Sequence, residues 1–349
     1  MGAGVAAFCA AALHAATPVA AVPVPKPGTL QTYGDWTLGC DNVLHCETRS
    51  LLPGDGMTTD ERMPAFISVG RDAGADADVA LWVQYDDSKY QGQVSFIVDG
   101  HLIARAPAKN GAAMVAGPQA SALAIAAAHG TLMEIKAGNR MLGKPSLAGS
   151  SAALRAMDAR QGRAGTVTAL IATGSTMASA MKPAPVLPIV RRVVEPASAK
   201  AQALWTNERA SVDTLTGCAD EVDIARNIEV YPLPGGRTLA LMPCGSGAYN
   251  LISVPVIGTG NAGRRSFALA KFDYAPGWGG EGGPPMLVNA GWSGGRLSSF
   301  AKGRGIGDCG NSEDYVWDGA QFRLVEASAM GECRGASDWI TVWRAKVTP

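Results

Sequence analysis

The sequence predicts an α+β protein of two β-rich domains with mostly antiparallel sheets, a few short helices and stabilising disulfides. Three observations lead there. Short β-branched and aromatic runs recur between Gly, Pro, Asn and Asp turn signals, only a few stretches have helical spacing, and the cysteine count past the first segment is even. The 349 residues are 47% hydrophobic, enough for two cores and too apolar for a disordered chain. Thirty Lys+Arg balance thirty Asp+Glu, which argues against a nucleic-acid binder held by phosphate contacts.

Residues 1–21 carry no charged side chain, and Ala3–Ala16 is apolar apart from His14. With small residues between Ala15 and Ala21, this reads as a signal peptide, although no Lys or Arg follows Met1. Thr17, Pro18 and Pro23 break the run before it could anchor the mature chain across a membrane. A lipid anchor through Cys9 is disfavoured by bulky Phe8 just before it, so the expected location is periplasmic or secreted. Removing Cys9 leaves Cys40, Cys46, Cys218, Cys244, Cys309 and Cys333. Nearest-neighbour pairing gives Cys40–Cys46, Cys218–Cys244 and Cys309–Cys333, worth roughly 3 kcal/mol for each longer loop and about 2 for the short one. Zinc is the disfavoured use, since there is no C-x-x-C and few histidines.

A Pro-rich lead-in spans 22–32. The N-terminal α+β domain, 33–175, follows with strands expected at Tyr33–Leu38, Ala65–Gly70, Val79–Tyr85, Gln93–Val98 and His101–Arg105, the last two joined by a hairpin at Asp99-Gly100. Helices are expected at Pro118–Ala128 and Ser151–Gln161, each stopped by a following Gly, with strands at Thr131–Lys136 and Thr166–Thr173. Pro183, Pro185, Pro188 and Pro196 mark a linker over 176–200. The C-terminal β-rich domain, 201–349, opens on a helix running from Ala197 to about Arg209. Its strands are expected at Ile228–Leu233, Thr238–Met242, Tyr249–Ile257, Phe267–Asp273, Met286–Ala290, Tyr315–Trp317, Phe322–Glu326 and Trp339–Ala345.

Charge is segregated. Residues 35–101 hold 12 acids against four bases, while 102–200 hold three acids against 12 bases. Either the two segments lie side by side and neutralise each other, or the second forms a basic face for an anionic envelope polymer.

Two motifs invite an enzyme and fail. Gly258–Gly263 fits G-x-G-x-x-G, but Arg265 onward alternates like a strand, so a hairpin loop is expected in place of a phosphate-binding turn. Gly291-Trp292-Ser293-Gly294-Gly295 fits G-x-S-x-G, but no helix pattern and no histidine follow it. Asp72, Asp76 and Asp78 lack the spacing of a calcium loop. No metal or cofactor is expected. The stretch 271–310 contains 12 glycines and two tryptophans, more than a simple connection needs. Trp278, Trp292, Lys302, Arg304 and Asp308 are therefore the candidate binding residues, with Trp faces for sugars and an Arg fork for carboxylates. The competing account makes Arg304–Asp308 a structural pair.

Tyr33-Gly-Asp35-Trp36 through Cys40-Asp41-Asn42 and Cys46, Ser146–Arg163, Lys302–Cys309, Tyr315–Gly319, and Gly331–Gly335 with Trp339 together resemble an exported bacterial family, domain of unknown function 1176. The resemblance implies export in Gram-negative bacteria and occasional lipoprotein character, and it supplies no catalytic residues. The Asp35-Trp36-x-x-x-Cys40 opening also resembles invasion-associated locus B proteins. The resulting expectation is a non-enzymatic envelope module binding an anionic glycan or a protein partner. Its rivals are a glycan- or cell-wall-acting hydrolase using carboxylates, and a secreted inhibitor or invasion-associated factor.

Overall fold

The computed structural model describes residues 23–54, 64–194, 203–218, 227–277 and 283–349. The expected signal segment with Cys9, part of the Pro-rich linker, the first residues of the expected 197–209 helix, and Trp278 lie outside them.

The first ten strands are β1 Gln31–Tyr33, β2 Trp36–Cys40, β3 Cys46–Ser50, β4 Ala65–Arg71, β5 Val79–Tyr85, β6 Gly92–Val98, β7 His101–Lys109, β8 Ala112–Ala116, β9 Met133–Ala137 and β10 Arg140–Gly143. They form one antiparallel sheet in the order β1-β2-β3-β4-β5-β8-β7-β6-β9-β10. The expected strand at Tyr33–Leu38 is two strands, split by a turn at Gly34-Asp35. Asp99-Gly100, both at positive φ, turns β6 into β7 as its dipeptide predicts. Alternation sets the faces. In β5, Val79, Leu81, Val83 and Tyr85 are buried, and Ala80, Trp82 and Gln84 point the other way. Helices α1 Gly117–His129 and α2 Ser150–Arg160 cover the buried face, bringing Leu123, Leu154 and Met157 against Trp36, Leu81 and Phe96.

Residues Thr166–Thr173 form a turn-rich loop with one isolated bridge, Thr166 to Thr176, in place of the expected strand. The reason is local. The buried Asp158 carboxylate accepts the amides of Leu170, Ile171 and Ala172 at 2.9, 2.8 and 3.1 Å, taking donors that a sheet ladder would use. Nearby Arg71 and Arg163 donate to the carbonyls of Ala77, Asp72 and Gly74, so cations from both chain segments meet the acidic loop directly.

Later in the chain come β11 Ile189–Arg191, α3 Thr206–Thr216, β12 Glu229–Leu233, β13 Arg237–Ser246, β14 Leu251–Thr259, β15 Ser266–Leu269, β16 Leu287–Val288, β17 Gly291–Ser293, β18 Arg296–Lys302, β19 Gly310–Trp317, β20 Phe322–Met330, β21 Ile340–Arg344 and β22 Lys346–Thr348. One sheet runs β12-β13-β14-β15 with β16 beside β14, a second runs β17-β18-β19-β20-β21, and β11 pairs in parallel with β22. Helix α3 begins later than the sequence suggested, because Glu208 reaches back to the amide of Trp205 and fixes the start there. Gly217, at φ +70°, ends it.

The three bridges are Cys40–Cys46, Cys218–Cys244 and Cys309–Cys333. The part of the first sheet around β2 to β4 is covered by the end of the chain. Gly28 donates to the Val342 carbonyl, Arg334 donates to Leu52, Gly34 and Asp35, and Arg344 pairs with Asp41.

Candidate functional site

Among the sequence-derived candidates, Arg304 and Asp308 come together, Lys302 stands at the base of the same loop, and Trp292 does not join them. Arg304 grips the Asp308 carboxylate through Nε and Nη2 at 2.7 and 2.5 Å, and Asp308 also accepts the Gly335 amide at 2.6 Å. The carboxylate is almost fully buried, so this fork closes a loop already tied at Cys309. Lys302 lies over the Tyr249 ring, 5.6 Å from its centroid. Trp292 pairs with Leu297 at the other end of β18, five residues from Lys302 and roughly 17 Å away, half-buried against Phe322.

The two enzyme-like motifs have structural uses. Gly258–Gly263 lies in the β14–β15 hairpin, and the amides of Gly263 and Arg265 donate to Glu208 at 2.8 and 3.0 Å. A side-chain carboxylate from α3 therefore takes the place a phosphate would need. Gly294 and Gly295, at φ +59° and +78°, make the two-residue turn between β17 and β18, so no helix follows Ser293.

A better-formed site lies on the face of the first sheet opposite α1 and α2. Strand register aligns Thr37, Arg49, Ser68, Trp82 and Met114 in one row across β2, β3, β4, β5 and β8. Under the chain's end the row is buried. Beyond that cover Trp82 and Met114 are 38% and 55% exposed, which is unusual for side chains of that size. Gly70 on β4 lets the Trp82 ring lie close to the sheet, because a Cβ there would come within 2.7 Å of it.

Arg49 sits where cover gives way to open face. Its Nη2 donates to Glu47 at 2.7 Å and its Nη1 lies 3.4 Å from Asp338, a charge contact without a directed hydrogen bond. Its Nε is buried with no partner. Gln84 donates to Asp338 from the other side. These groups, with Lys109 and Pro107 of β7, bound an open groove of about 470 Å³. It joins an aromatic and thioether surface to a guanidinium, an amide and an ammonium, which suits a ligand with one flat apolar face and polar or charged edges. The sequence signal for it was Trp82 at an outward position of an alternating strand. Arg49 gave none, because its burial depends on residues nearly 300 positions away.

Asp273 and Glu313 are the carboxyls that an acid–base reading would notice. Burial pushes both above the usual range, against the Leu324 amide and the Arg323 charge 3.6 Å away at Asp273, and against the Asn311 amide at Glu313. Both are shut into the interior beside Tyr315, whose own hydroxyl burial pushes upward. Glu313 Oε2 has no hydrogen-bond partner among the described residues. A raised carboxyl stabilises the fold fully below its unfolded value of about 4.5 and loses that contribution as pH rises through the folded value. Glu313→Gln is therefore expected to melt higher than the parent at pH 8, with the difference closing toward pH 4. A pH-independent difference in melting temperature would show that ionisation of Glu313 is not involved.

A chain of Escherichia coli K12 described as "Uncharacterized protein YpfG" is 27% identical over 335 residues, 90% of this chain and 92% of that one. The crystal structure of invasion associated protein b from Bartonella henselae matches 38% of this chain and 99% of its own at 19% identity, with a TM-score of 0.30, too slight to carry an argument. Among the described residues no helix is long and apolar enough to cross a membrane. The family model described as "Protein of unknown function (DUF1176)" matches residues 30–346, and the chain belongs to that family.

Proposed function

We propose that the protein is a non-enzymatic binding module of the bacterial envelope whose ligand is a carboxylated glycan seated on Trp82. One observation carries the reading: Trp82 and Met114 stand exposed side by side on an uncovered part of the sheet face, flanked by Lys109 and by the Arg49 guanidinium, whose buried Nε has no partner among the described residues. A sugar ring presents a flat C–H face to an indole, and its carboxylate finds cations at the groove's edge. Three disulfides support an oxidising compartment, periplasmic or secreted. In this reading the Lys302–Asp308 loop belongs to the scaffold, since Arg304 already spends its fork on Asp308.

Calorimetric titration with a galacturonate disaccharide tests it. Trp82→Ala should weaken binding about tenfold or more, in line with the loss of one stacked aromatic face. It should lower folding stability by about 1 to 3 kcal/mol, since the ring is mostly buried over Gly70, and leave the protein folded. Equal binding by parent and variant, or loss of binding that merely follows loss of fold, would remove Trp82 from the site.

A further inference from the structure

The groove is open at one end, and the sheet continues beyond it. We infer that the Trp82 groove is the end of a longer track, and that its ligand is an extended polyanionic glycan chain, not a single acidic sugar. This rests on reading the groove as a glycan site, and it adds what lies on the strands past Lys109.

On β7 the two-residue period puts Arg105, Pro107 and Lys109 on the same outward face, and all three are exposed. Register carries that face onward, Pro107 opposite Gln93 of β6, then Arg105 opposite Ser95 of β6, and Ser95 opposite Lys136 of β9. Helices α1 and α2 occupy the other side of the sheet and the chain's end covers only the part around β2 to β4, which leaves Arg105, Pro107 and Lys109 exposed. Lys136 is neutralised at 2.8 Å by Glu134, two residues earlier on the same face of β9. Arg105 only leans on Ser95 Oγ at 3.4 Å, and neither it nor Lys109 enters an ion pair among the described residues.

Four strand spacings separate β3, which bears Arg49, from β7, which bears Arg105, about 19 Å in all. One sugar on Trp82 cannot span that distance. A chain with repeated carboxylates can, and each further contact is then intramolecular, at high effective concentration. The groove alone is nearly charge-balanced, with Glu47 and Asp338 set against Arg49 and Lys109. The track past it is where negative charge gains most. A neutral glycan would find nothing there to recognise, and the face is too polar for a lipid.

The test titrates galacturonate di-, tetra- and octasaccharides into the full chain at low and moderate salt, with Trp82→Ala and Arg105→Glu as variants whose melting is checked. The octasaccharide is expected to bind about a hundredfold tighter than the disaccharide at low salt, a gain that added salt reduces. Arg105→Glu should abolish that gain. Should Trp82 matter while all lengths bind alike, the track fails and the groove stands. Should no length bind, both readings fail together. Length-dependent binding of polyglutamate without any binding of the glycans would overturn the glycan assignment.

Discussion

Asp158→Ala is expected to lower stability by about 3 to 5 kcal/mol, because three buried backbone donors would each lose their acceptor at a cost of roughly 1 to 3 kcal/mol. The carboxylate is 1% exposed and takes the amides of Leu170, Ile171 and Ala172. It also lies at the foot of α2, where Gln161 reaches the carbonyls of Leu44 and Arg71 and Arg163 reaches the acidic loop. Water cannot easily replace it there. Asp158→Asn keeps one acceptor oxygen and should fall between parent and alanine variant. Urea unfolding measures all three, and a loss under about 1 kcal/mol would show that the loop satisfies its amides another way.

The second large effect belongs to Glu208→Ala. This carboxylate is 1% exposed and accepts the amides of Trp205, Gly263 and Arg265, with the Arg265 guanidinium at 3.3 Å. Burial works to raise its pKa, but those donors outweigh burial and hold it below the usual range. Removing one partner of such a buried pair costs about 3 to 5 kcal/mol. The sign with pH is opposite to that of Glu313. A depressed carboxyl contributes fully above its unfolded value and loses the contribution as pH falls through the folded value. The gap between parent and Glu208→Ala should therefore be widest near neutrality and narrow below about pH 4.5. A gap that stays constant down to pH 3 would mean that packing, not charge, is what the glutamate supplies.

Much of the first sheet was legible because its strands alternate and its turns carry their own chemistry. Val79–Tyr85 and the Asp99-Gly100 hairpin needed no tertiary information. The three bridges match the nearest-neighbour pairing, one of fifteen that six cysteines allow. The loop after α2 was misread because β-branched Thr166, Val167 and Thr168 suggest a strand, and only the Asp158 carboxylate, supplied from the helix, says otherwise. The Arg296–Lys302 strand was missed because its Ser residues hide the alternation of Leu297, Ser299 and Ala301 toward the interior. Glycine and tryptophan density, the sequence feature that singles out residues 271–310, has a structural use at several of its positions. At Gly294-Gly295 and Gly310, positive φ or a carbonyl 1.9 Å from an added Cβ requires glycine. The motifs behind the family resemblance also meet in one hydrogen-bonded chain: Ser146 to Asp35, Asp35 to Arg334, and Gly335 beside Arg334 to Asp308. What is recognisable about this sequence is chiefly its scaffold.

That chain of bonds also dictates an order of assembly. Asp35 and Asp41 wait for Arg334 and Arg344, about three hundred residues later, and Gly28 waits for Val342. A ribosome releases the opening strands long before their covering surface exists. Until the final strands arrive, Arg49, Thr37 and Ser68 face water on a sheet meant to be dry. Pairings so distant in sequence are slow to form, because the loop between their partners must close first. A clipped C-terminus would therefore injure the beginning of the protein, stripping Asp338 from Arg49 and opening the groove beside Trp82 to solvent.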